Sequence, residues 1–159
     1  MHAPSLPLRM LLNTDGSVTP LLEACFRAPV SVETLSNAVD DSRPRSLHRT
    51  AVLRVAPTGR PLLRATSVLA FDRLPPGART ALLIGDEPIG TVLRDARLET
   101  RRELLSCTEV RATPDDAAEL GVDEGSPVFE RTYRIVSSSR QLAIVTERVP
   151  VSLFDAVKP

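Results

Sequence analysis

Two stretches of this sequence have the form strand, short polar turn, strand, and they commit the chain to an antiparallel sheet. Leu47 to Ala56 and Leu62 to Phe71 flank Pro57-Thr58-Gly59-Arg60-Pro61. Val128 to Val136 and Gln141 to Val149 flank Ser137-Ser138-Ser139-Arg140. Apolar, β-branched runs on either side of a proline-, glycine- or serine-rich turn are the signature of a hairpin. Val30 to Leu35 and Leu98 to Arg111 read as further strands, and the polar stretch Asn37 to Ser46 as a loop. Helices are expected at Leu6 to Asn13, after Ser17 or Thr19 up to Pro29, at Ala78 to Ile84, and at Ile89 to Ala96. A further one runs from Pro114 to Leu120, with Thr113 as N-cap and Gly121 as the stop. Helices around hairpin-linked strands predict an α+β fold with an antiparallel sheet. With 159 residues and no internal repeat, one domain over 1–159 is expected.

Composition removes several functions. Twenty basic residues balance twenty acidic ones, so nothing draws the chain toward nucleic acid, and the 3% aromatic content offers few stacking platforms. No apolar run is long enough to span a membrane, and Met1 to Met10 does not form a secretory signal. His2 and His48 are the only histidines and form no cluster with cysteine, so no metal site is expected. Phosphate-binding glycine loops and a G-x-S-x-G serine are absent. Cys25 and Cys107 read as buried thiols of a reducing, cytoplasmic compartment. Except for Lys158, every basic side chain is arginine, the planar fork that grips carboxylates at two points.

Strand alternation puts two charges among apolar neighbours. In the first hairpin, Leu47, Arg49, Ala51, Leu53 and Val55 share one face, whereas Arg54 lies on the other with His48, Thr50 and Val52. In the last strand Glu147 shares a face with Ala143, Val145 and Val149. Buried charges are costly unless paired or ligand-bound. Two readings follow: Arg49 and Glu147 pair with each other or lie on a solvated face, or they mark two ends of a closed pocket for a small anion. In the second reading a buried, protonated Glu147 is a proton donor. Leu98 to Glu103 reads as an exposed strand with cross-strand ion pairs, His48 as a surface residue and Tyr133 as packing.

Several short blocks, in order over residues 11 to 155, give the chain a family resemblance. They are Leu12-Asn13-Thr14-Asp15-Gly16-Ser17-Val18-Thr19, Arg49 ahead of an apolar strand, and Phe71-Asp72-Arg73-Leu74-Pro75. Pro88-Ile89-Gly90, Glu99-Thr100-Arg101-Arg102-Glu103 and Val145-Thr146-Glu147 follow. On these the chain resembles the chorismate pyruvate-lyases. The resemblance implies a single antiparallel sheet whose helical flaps cover a buried ligand cavity. It implies a carbon–oxygen lyase reaction, chorismate to 4-hydroxybenzoate and pyruvate, with no cofactor and no metal. It assigns the ring carboxylate to Arg49, helped by the Ile89 main chain at the Ile89-Gly90 turn, places Val18 on the flap, and sets Glu147 at the far end of the ring. Arg54 is the competing anchor; the face argument favours Arg49. The expected partner is chorismate alone, without nucleic acid or membrane, on a monomer or weak homodimer.

Two alternatives remain at this stage. Ligand-binding domains of GntR-type regulators share the expected fold and bind effectors in the same cleft. They normally follow a winged helix, for which the residues before Leu11 leave no room. The other alternative is a lyase acting on a related chorismate-derived ether.

Overall fold

The computed structural model describes residues 3–155 and residue 157. Helices α1 (Leu6–Asn13) and α2 (Val18–Phe26) precede strands β1 (Val30–Asp40), β2 (Ser46–Val55) and β3 (Pro61–Ala70). A 3-10 turn at Phe71–Arg73 leads into α3 (Pro76–Ile84) and α4 (Ile89–Asp95). Strand β4 (Arg101–Arg111), helix α5 (Pro114–Leu120) and strands β5 (Pro127–Ser137) and β6 (Arg140–Pro150) follow.

The six strands form one antiparallel sheet in the order β1-β2-β3-β6-β5-β4. The expected hairpins β2–β3 and β5–β6 join at its centre through β3 and β6, and the two remaining strands become its edges. Local chemistry sets the helix ends. Thr113 Oγ1 accepts from the Asp116 amide while Asp116 accepts from the Thr113 amide, a reciprocal cap that starts α5. Gly85, at φ 86°, ends α3 in the left-handed conformation that glycine adopts without strain.

The register aligns Leu53 with Leu63, Ala51 with Ala65, and Arg49 with Ser67 across the first hairpin. Ala65 and Ser67 continue onto Glu147 and Val145, and these onto Arg131 and Tyr133. Two leucine-rich clusters sit at opposite ends of this inner face. One, with Leu8, Leu11, Leu22, Leu53 and Leu63, packs α1 and α2. The other, with Leu47, Leu69, Leu82 and Val92, packs α3 and α4. Between them the inner face carries the small residues Ala51, Ala65 and Ser67 beside the longer Arg49, Glu147 and Tyr133, and a hollow remains over the small ones.

Three expectations need correction. Asn37 to Asp40 is strand, not loop: β1 pairs as far as Asp40 opposite Ser46. Its polarity is that of an edge strand, and the Asn37 amide donates to the Leu82 and Leu83 carbonyls at the end of α3. Strand β4 begins at Arg101, three residues later than Leu98. Cys107 is exposed rather than buried, because residues 104–108 lie at the middle of an edge strand that the helices leave uncovered; Cys25 is half-buried.

Candidate active site

The hollow encloses about 570 Å³ of empty space, counting its mouth. Its floor is Ala51, Ala65 and Ser67, and its roof is the first turns of α2 and α4. Val18 opens α2 and Ile89 opens α4, so the Ile89 amide has no carbonyl partner within its helix.

Arg49 projects from β2 into this space and is only 4% exposed. Its Nη2 donates to the Glu87 carbonyl at 2.8 Å, and to the Gly85 carbonyl and Thr34 Oγ1 at 3.2 Å each. Among the described residues no carboxylate lies within ion-pair distance of it, and its buried Nε has no hydrogen-bond partner. Burial lowers its pKa from the ordinary guanidinium value. Arg54 lies outside the cavity; its Nε meets Glu33 Oε2 at 2.5 Å and its Nη1 the Gly59 carbonyl. His48 is exposed beside Ser46, as expected.

Glu147 lines the same cavity at 3% exposure, but Arg49 is not its partner. That partner is Arg131, opposite it on β5 and 1% exposed. Arg131 Nε donates to Glu147 Oε2 at 3.1 Å, and Nη2 lies 3.0 Å from the same oxygen without hydrogen-bond alignment. Arg131 Nη1 donates to the Leu11 and Thr14 carbonyls at 2.6 and 3.1 Å, tying the end of α1 to the sheet. Tyr133 Oη donates to Glu147 Oε1 at 2.8 Å. Desolvation, then the Glu147 charge, pushes the Tyr133 pKa well above its usual value, so the hydroxyl stays protonated. Glu147 is therefore held by Arg131 and Tyr133 and not by Arg49.

The structure thus brings together Arg49, Glu147, Val18, Ile89 and Gly90 in one cavity. It adds Tyr133 and Arg102, which the sequence reading placed elsewhere, and behind Glu147 it adds Arg131, which that reading did not name. Arg131 shares a face with Phe129, Tyr133 and Ile135, the same parity signal that singled out Arg49. Tyr133 is more than packing. Arg102, read as part of an exposed charged strand, turns inward opposite Ile135, while Glu103 makes the expected pairs with Arg101 and Arg134.

A family model described as Rv2949c-like chorismate pyruvate-lyase matches residues 12–156. The chain belongs to that family. A Methanocaldococcus jannaschii protein, named as a candidate lyase, is 32% identical over 144 residues, covering 87% of this chain and 75% of that protein. The chorismate pyruvate-lyase of Mycobacterium tuberculosis is 26% identical over 162 residues, with 92% and 81% coverage. The fold recurs in regulators. A ligand-binding domain of a GntR-family protein from Bordetella bronchiseptica superposes with a TM-score of 0.60 at 14% identity, covering 76% of this chain and 84% of that one. Against the Bacillus subtilis regulator YydK the TM-score is 0.62 at 11% identity, over 78% of this chain but 58% of that one. Family membership carries lyase chemistry; these low-identity neighbours carry the fold alone. Among the described residues no helix is long and apolar enough to cross a membrane.

Proposed function

We propose that this chain is a chorismate pyruvate-lyase, releasing 4-hydroxybenzoate and pyruvate, and that residues 1–159 act as one domain in the cytoplasm. The observation that carries this reading is Arg49, a buried guanidinium without a carboxylate partner among the described residues, which opens onto a cavity with a paired carboxylate, Glu147, elsewhere on its wall. A dry, uncompensated cation is unfavourable in the ligand-free protein and becomes favourable when an anion arrives. A benzoate-type carboxylate on Arg49 and the Ile89 amide uses both orphaned donors. The para hydroxyl then meets Glu147, whose two oxygens each accept one bond from Arg131 or Tyr133 and keep a free lone pair.

The reaction itself asks little of the protein. The ring ether C–O bond breaks, the hydrogen leaves the neighbouring ring carbon that bears the hydroxyl, and the ring becomes aromatic. In the bound conformer that hydrogen reaches the vinyl methylene through a six-membered array of hydrogen, two ring carbons, ether oxygen and two vinyl carbons. Pyruvate forms directly, and all atoms balance without a protein acid. The chain's contribution is to fix that conformer and exclude water. Glu147 orients the hydroxyl and Arg49 fixes the ring. Wild-type protein titrated with 4-hydroxybenzoate should bind it, and the Arg49→Met variant should not; equal binding by the two would refute the assignment.

A further inference from the structure

Arg102 is the second cation of the cavity, across from Arg49. Its guanidinium makes no hydrogen bond or ion pair among the described residues, and its Nε is buried without a partner. Its neighbours on the same half of the sheet differ. Arg101 and Arg134 pair with Glu103, Arg131 with Glu147, and Arg148 with Glu130 and Asp116. Arg102 rests instead over the Tyr133 ring, 5.7 Å from its centroid, with Arg131 at 4.9 Å from the same ring. The chain also makes room for it: a Cβ on Gly90 would stand 3.0 Å from Arg102 Nη2 and 3.2 Å from Ser17 Oγ. A side chain at the start of α4 would therefore push the guanidinium away from the cavity.

The charge count is what decides its role. Glu147 is matched by Arg131, so Arg49 and Arg102 leave the cavity with two uncompensated positive charges, entering from β2 and β4 on opposite sides. Arg49 is buried and Arg102 half-buried, and two unpaired cations facing one cavity repel each other less once a ligand with two negative charges lies between them. Arg102 also lines the outer groove that adjoins the cavity, together with Arg94 and Arg97. It therefore stands where the inner cavity meets its mouth.

We propose that Arg102 is the second anion anchor, holding the carboxylate of the side chain that is cleaved from the ring, so that Arg49 and Arg102 together select a dicarboxylate. This rests on the lyase reading above. It gives the departing three-carbon acid a contact at the cavity mouth, and it makes Gly90 a positioning residue for Arg102.

The test uses two inert probes by titration calorimetry: 4-hydroxybenzoate, with one carboxylate, and 3-(1-carboxyethoxy)-4-hydroxybenzoate, with two and no eliminable vinyl group. Wild-type protein should bind the second more tightly. Arg102→Gln should weaken it by about 10- to 150-fold, the worth of one charge-assisted contact, and leave 4-hydroxybenzoate within about threefold. Arg102→Lys, which keeps the charge, should recover part of the loss, and its value stands should the glutamine variant fail to fold. Equal weakening of both probes, or of neither, would overturn the assignment. So would a wild-type protein that gains nothing from the second carboxylate while still binding 4-hydroxybenzoate, an outcome that leaves the lyase reading intact. A wild-type protein that binds neither probe overturns the lyase reading and Arg102's role with it.

Discussion

Replacing Arg49 with methionine separates its two energetic roles. In the ligand-free protein it makes three hydrogen bonds, to Thr34, Gly85 and Glu87. Nη2 carries two hydrogens, so these contacts amount to two charge-assisted bonds, and at about 1.5–3 kcal/mol for each their loss costs about 3–6 kcal/mol. The same substitution removes an unpaired buried cation, whose effective desolvation penalty is several kcal/mol. The two nearly cancel, so Arg49→Met should melt within about 2 kcal/mol of the parent, a shift of roughly 4–8 °C at most for a chain of this size. Ligand binding has no such compensation. Two charge-assisted bonds to a carboxylate contribute about 3–6 kcal/mol, or about 10²–10⁴ in affinity. Thermal melts with 4-hydroxybenzoate read both. At a hundredfold excess over Kd the wild type should gain about 2.7 kcal/mol, roughly 5–11 °C, and the variant less than about 2 °C at the same concentration. The reasoning fails if the variant keeps the full ligand shift. It fails equally if the ligand-free variant loses more than about 5 kcal/mol, since Arg49 would then be a structural cation.

Glu147→Ala should destabilise by about 3–5 kcal/mol by stranding Arg131, whereas Arg131→Met combined with Glu147→Leu should melt near the parent and still lack turnover; a double variant as unstable as the single one contradicts the ion-pair account. Activity should persist in excess chelator, because the cavity lining offers one carboxylate and no histidine or cysteine; loss in chelator that a divalent ion restores would defeat this. Asp116 carries the pH dependence: burial works to raise its pKa, but the Thr113 amide and hydroxyl and Arg148 hold it below the ordinary 3.8. A depressed folded-state pKa contributes stability that is present above that value and is lost as pH falls through the folded one. The stability gap between wild type and Asp116→Asn should therefore be largest near neutral pH and close below about pH 4, in denaturant melts across pH; a constant gap contradicts it.

What was legible in the sequence was what alternation and turn chemistry control locally. The two hairpins, the capped helix from Pro114 to Leu120 and the inward parity of Arg49 and Glu147 all follow from period two and from single turn residues. The family blocks carried the architecture of the flaps. The misses on β1 and β4 share one cause, that these are edge strands. On β1 and β4 one face is solvated and the other only partly covered, so Asn37 to Asp40 looked like a loop and Arg102 like surface charge. Arg131 was within reach of the same parity test and faces Glu147 across a hairpin that the sequence predicts, but the pairing of Glu147 was sought in Arg49. The long-range step, β3 beside β6, is what sets Ala65 against Glu147 and puts a strand between Glu147 and Arg49.

The most direct measurement is to incubate the purified protein with chorismate and follow the products by chromatography against a protein-free control. The account predicts 4-hydroxybenzoate and pyruvate in equal amounts, at a rate far above spontaneous decay, with the Arg49→Met variant near the control. Chorismate that disappears no faster than in the control, or that yields a different aromatic acid, would contradict it.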